Sequence, residues 1–85
     1  MQYTVLISGK PKKNLQKIPQ PWQSRIIHAL EQLESDPFCG EKMWGKYKDF
    51  KKLRIWPYRV VYQLDERRKI VSVVEIGHRG GMGYK

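Results

Sequence analysis

The closing stretch EIGHRGGMGYK strings His78, Arg79 and Tyr84 on glycines directly after an apolar run. Upstream, Lys48, Lys51, Lys52, Arg54 and Arg59 crowd into positions 48–59. Guanidinium and ammonium groups in such number suit a phosphodiester. Displacement at phosphorus passes through a charge-rich transition state, which pre-placed cations stabilise. In RNA the nucleophile comes with the substrate, as the 2′-hydroxyl beside the phosphate. The protein then needs to bend the backbone, set cations on the phosphate, and move protons at two oxygens. Histidine carries protons readily, and tyrosine does so with help from nearby cations, which points to His78 and Tyr84. This chemistry calls for no metal and no cofactor.

Other chemistries fit poorly. His28 and His78 are the only histidines, and the few carboxylates do not cluster at metal-ligand spacing. No glycine-rich loop between strand and helix is present to cradle a nucleotide phosphate. No serine–histidine pair comes with a visible orienting acid. Cys39 is the single cysteine and forms no internal disulfide, which fits a reducing cytoplasm. The N-terminus MQYTVLIS alternates like a strand and lacks the basic start of a signal peptide. No apolar run reaches membrane-spanning length, so no membrane partner is expected. The net charge of +9 on 85 residues instead implies a polyanionic partner.

The elements that must position these groups form one small domain over residues 1–85. Residues 2–8 alternate as a strand that Gly9 ends. A short basic helical segment carries Leu15 and Ile18 on one face, and Pro19 stops it. A second helix runs through PWQSRIIHALEQLES, with Trp22, Ile26, Ala29, Leu30 and Leu33 at helical spacing, and Asp36-Pro37 closes it. Residues 38–47 read as a loop. Strands follow at about 48–56, 58–64 and 69–76, rich in Val, Ile and Tyr. Short connections favour antiparallel pairing. The expected fold is α+β: a two-layer sandwich with an N-terminal strand and a helical hairpin packed on an antiparallel sheet of about four strands.

One sheet face takes the helices; the other is open to chemistry. Alternation puts Lys52 and Arg54 on one side of their strand and Leu53 and Ile55 on the other. Lys52, Arg54 and Arg59 can then converge on the uncovered face, with His78 and Arg79 following the last strand. A solvated sheet face is the plainer reading of Lys51, Lys52 and Arg54 taken alone. Arg59 is different, because it interrupts the apolar strand YRVVY and needs a partner or a ligand there. Glu75 on the neighbouring strand is the alternative to a ligand, as a structural ion pair.

Two stretches, LRIWPYRVVYQLD (53–65) and VEIGHRGGMGYK (74–85), resemble the strand pair and closing element of the RelE/ParE superfamily of type II toxins, on the RelE side. The resemblance covers almost the whole chain. It implies a RelE-like fold and a ribosome-dependent mRNA endonuclease that cuts message in the A site of a 70S-type ribosome and inhibits translation in the cytoplasm. It also implies a cognate RelB-like antitoxin with an acidic segment over the groove, and operator DNA reached only through that antitoxin. Residue by residue, it makes Arg59 the contact to the scissile phosphate, Arg79 a transition-state stabiliser, and Lys52 a catalytic strand lysine. Tyr84 becomes the residue that orients or deprotonates the 2′-hydroxyl or stacks on the base, and His78 a commonly histidine position of the site. Lys48, Lys51 and Arg54 are expected to bind RNA. Two departures stand out: a second strand lysine of well-known members falls at Phe50, and the sequence lacks a longer C-terminal helix after Tyr84. The alternatives are a ParE-like gyrase poison and a non-catalytic nucleic-acid-binding relic of a toxin.

Overall fold

The computed structural model describes residues 2–7, 9–43 and 50–78. In chain order these form β1 (Thr4–Ile7), α1 (Lys10–Lys17), α2 (Trp22–Gln32), β2 (Glu41–Lys42), β3 (Phe50–Ile55), β4 (Tyr58–Asp65) and β5 (Ile70–His78). The strands make one sheet in the order β1-β5-β4-β3-β2. The α+β sandwich is as expected, with two differences in the sheet. It has five strands, because Glu41–Lys42 pairs with β3 inside a segment that reads as loop; two residues are too few to show a pattern. It is also mixed, since β1 runs parallel to β5, with Val5 opposite Val71 and Ile7 opposite Val73. Alternation along a strand is the same for either direction, so β1 carries no local sign of its partner.

The helices form where the pattern predicts and stop for local reasons. Gly9 takes φ 66° and accepts a bond from Lys13 N, and Pro11 sits buried in the first turn of α1, where its missing N–H costs nothing. Ile18 turns extended ahead of Pro19. α2 ends at Gln32, three residues short of the predicted Ser35, because Leu33, Glu34 and Ser35 bond back to Leu30, Glu31 and Gln32, as in a tightened last turn. Among the described residues, no helix is long and apolar enough to cross a membrane.

The core lies between the helices and one sheet face. Ile26, Leu30 and Leu33 meet Val60, Tyr62, Val71, Val73 and Ile76, with Tyr3 and Ile18 closing the ends. Trp22, Leu15, Leu53 and Ile55 pack against this cluster while half-buried. Tyr62 is wholly buried, and its hydroxyl donates to the Pro37 carbonyl at 2.6 Å and accepts from Gly40 N at 3.1 Å. That pair of bonds ties the segment before β2 to the middle of the sheet. Burial pushes the Tyr62 hydroxyl up to about 12, so it stays protonated and available as a donor.

A bulge decides which side chains reach the open face. Val61 pairs with Glu75 and Tyr62 with Val73, which leaves Val74 as the extra residue of β5. Simple alternation from Val71 and Val73 would turn Glu75 inward. The inserted residue resets the phase instead. Ile76 is therefore fully buried, while Glu75 and Gly77 fall on the face away from the helices.

Candidate phosphate-binding face

On that face β3 and β4 bring the expected cations together. Arg54 pairs directly with Arg59, and Lys52 with Val61. Directly opposed residues hold their Cβ atoms about 4.5–5.5 Å apart, so the two guanidinium stems start side by side. Lys52 lies two residues along β3, about 7 Å from Arg54 on the same face. Like charges set directly across a strand pair are destabilising, and each arginine has a carboxylate nearby. Glu41 of β2 bridges Arg54 at 3.6 Å. Both side chains are largely exposed, so that contact is worth little and weakens with salt. Arg59 feels Glu75, which stands across Val61 on the third strand.

Glu75 is the one group here with a displaced titration. Burial holds its carboxyl above the ordinary range, opposed by the positive charges of Lys10 and Arg59. Its Oε2 is buried and has no hydrogen-bond partner among the described residues. Lys10 comes from the start of α1, which runs along the part of β5 that β1 does not reach; Asn14 there donates to the Ile76 carbonyl at 3.0 Å. Because the folded value is raised, the contribution of Glu75 is best below the ordinary carboxylate range and declines as pH rises through the folded value. Glu75→Gln is therefore expected to melt above wild type by a margin that is small at about pH 4 and larger at about pH 7. Thermal melts of both proteins check this, and a margin that does not grow with pH would contradict it.

The β3–β4 hairpin turns through Trp56 and Pro57, whose peptide bond is cis. Arg54, Trp56, Pro57, Tyr58 and Arg59 line a cleft of about 130 Å³ beside the paired arginines. Trp56 is 68% exposed. Alternation carries the strand through residue 56, whereas the structure ends β3 at Ile55 and puts Trp56 in the turn; the dipeptide Trp-Pro is the usable signal, since an indole in a two-residue turn has no core to enter.

Other expected site residues fall elsewhere. His78 pairs with Tyr58, while Gly77 pairs with Arg59. The His78 ring meets the Tyr58 ring edge-on at 5.3 Å, and Tyr58 leans in turn on Trp22 of α2 at 6.4 Å. His78 thus begins on the helix side of the sheet end, and not beside Arg59 as direct continuation of the strand suggests; the bulge is the cause. Lys51 is half-buried opposite Tyr62 and does not share the surface of Lys52 and Arg54. Lys48, Arg79 and Tyr84 lie outside the described residues. Among the described residues no group of three His, Cys, Asp or Glu side chains could hold a metal ion. Cys39 is exposed as a residue, yet partial desolvation of its sulfur and the negative charge of Asp36 raise the thiol, which disfavours the reactive thiolate.

The family model for the ParE toxin of type II toxin-antitoxin systems, parDE, matches residues 5–82. The chain belongs to this toxin family. The match runs from β1 through β5 and takes in residues 53–65 and 74–82 of the two stretches that carry the resemblance to the RelE/ParE superfamily. Solved structures of the same fold include the RelBE toxin-antitoxin complex of Mycobacterium tuberculosis. It is 21% identical, with TM-score 0.84 over 93% of this chain and 100% of that one. The isolated RelE toxin of E. coli is 22% identical, with TM-score 0.79 over 89% of this chain and 83% of that one. The archaeal RelE-RelB complex of Pyrococcus horikoshii is 24% identical, with TM-score 0.76 over 96% of this chain and 100% of that one. No curated protein sequence matches significantly. The ParE-family toxin thus keeps the α+β sandwich of RelE proteins and carries its row of cations on the face the helices leave open.

Proposed function

We propose that this type II toxin is an mRNA endonuclease that cuts message in the ribosomal A site and so stops translation in the cytoplasm. The observation that carries this reading is the direct pairing of Arg54 with Arg59, with Lys52 on the same face. Two guanidinium forks and an ammonium group converge where one phosphate can be held. The substrate 2′-oxygen attacks the adjacent phosphorus, and the bond to the 5′-oxygen breaks. The products are a 2′,3′-cyclic phosphate and a free 5′-hydroxyl. Arg59, Arg79 and Lys52 offset the charge on the phosphoryl oxygens. One proton leaves the 2′-hydroxyl and one is delivered to the 5′-oxygen, with Tyr84 as the protein's carrier; His78 starts on the helix side of the sheet and takes no part in this step. A ribosome that holds the message bent contributes orientation that the protein need not supply.

The partner proposed for the off state is a RelB-like antitoxin with an acidic segment over Lys52, Arg54 and Arg59, and operator DNA is reached through that antitoxin. RelE proteins of this fold have been solved in complex with RelB antitoxins, which supports such a partner. Primer extension on message from a translation reaction tests the central reading. Cuts at defined codon positions are expected with the toxin and none when the antitoxin is added first. Tyr84→Phe should slow cutting about 10²-fold or more if the phenol moves a proton. Cutting at the wild-type rate would leave Tyr84 only a stacking or packing role.

A second reading is favoured by the family model itself, which is that of ParE. A gyrase poison would bind a protein target with the same basic face. DNA damage and altered supercoiling with intact message would select it over the nuclease.

A further inference from the structure

We propose that the β3–β4 hairpin holds a nucleotide subsite in which Trp56 stacks on the base next to the phosphate gripped by Arg54 and Arg59. The proposal rests on the RNA-cleaving reading and adds to it a named contact outside the expected catalytic set. A single exposed apolar side chain is ordinary on a protein surface. Trp56 differs in its surroundings, because the cleft of about 130 Å³ under it is walled by Pro57 and Tyr58 and flanked by the two arginines that oppose each other across the strands. The occupant we assign is a nucleotide of single-stranded RNA, whose base is free to leave its own stack and meet an aromatic side chain. Its phosphate meets guanidinium and its base meets indole, the pairing of cationic groove and aromatic platform that single strands use. As a residue Trp56 is 68% exposed, so the indole reaches solvent at the mouth of the cleft. Stacking accepts any base, so Trp56 sets position and affinity more than sequence.

The test uses a labelled 2′-O-methyl RNA hexamer, which lacks the attacking hydroxyl and cannot be cut. Binding to the full chain is followed by fluorescence anisotropy at low ionic strength. Trp56→Ala is expected to weaken binding about tenfold, Trp56→Phe to stay within about threefold of wild type, and Arg59→Ala to weaken binding through the phosphate. Thermal melts of Trp56→Ala and Trp56→Phe confirm that both remain folded. If Arg59→Ala weakens binding and Trp56→Ala does not, the stacking subsite is overturned and the phosphate-binding face stands. If the wild-type chain does not bind the hexamer, or binds it equally well without Arg59, the subsite is overturned, while the nuclease reading stands or falls separately on primer extension in the translation reaction.

Discussion

Arg59→Ala is expected to lower message cleavage about 10²–10³-fold in a translation reaction, the usual effect of removing one donor aimed at a developing anion. The side chain is set on an inner strand of the sheet, directly opposite Arg54 on one side and Gly77 on the other, with Glu75 diagonal to it on the same face. Its neighbours on both sides of the backbone belong to elements that are themselves fixed by the core. Removal therefore deletes a guanidinium without rearranging its support. It relieves the repulsion from Arg54 and withdraws one of the two cations that offset the buried Glu75, and because these changes oppose each other a large loss of stability is not expected. Arg59→Lys keeps the charge but not the two-pronged fork and should recover only part of the rate. Cleavage by primer extension and folding by circular dichroism are read on the same preparations. Full activity of a folded Arg59→Ala protein would remove the basis of the proposed mechanism.

The largest expected effect on stability is at Tyr62. Tyr62→Ala is expected to cost about 3–5 kcal/mol, as for other large aromatic deletions in a core. That is a large share of the roughly 5–15 kcal/mol that holds a domain together. The ring is wholly buried against the cluster under α2, and the hydroxyl serves Pro37 and Gly40 at once. Tyr62→Phe separates the two contributions. It keeps the ring and strands the Pro37 carbonyl and the Gly40 amide, at about 1–3 kcal/mol. Because the hydroxyl remains protonated to well above neutrality, the cost of Tyr62→Phe should be the same at about pH 6 and about pH 8. Urea unfolding of the three proteins measures both terms, and a Tyr62→Phe protein as stable as wild type would show that the hydroxyl contributes nothing. Gly40 leaves no room for compensation, since a Cβ there would lie 2.5 Å from the Tyr62 hydroxyl oxygen.

Much of this molecule is legible along the chain because its signals are local. The helical spacing of Ile26, Leu30 and Leu33 places α2 on the sheet whatever the sheet's order. Alternation in KKLRI separates Lys52 and Arg54 from Leu53 and Ile55. The oddity of an arginine inside YRVVY marks Arg59, and the short connection before it predicts that its strand pairs antiparallel with the preceding one, as β4 does with β3. These are consequences of near neighbours, and the tertiary fold did not alter them.

Only the assembled sheet settles what depends on distant partners. β1 lies beside β5 and parallel to it, a pairing between residues more than sixty positions apart that no local pattern encodes. The bulge at Val74 is visible only when β5 is laid against β4, and that single extra residue turns Ile76 into the core, Glu75 toward Arg59, and His78 toward Tyr58. The sequence by itself determined which cations this toxin presents and on which strands. The pairing of those strands decided which of them share a face, because a shift of one residue in register moves every later side chain to the other side of the sheet.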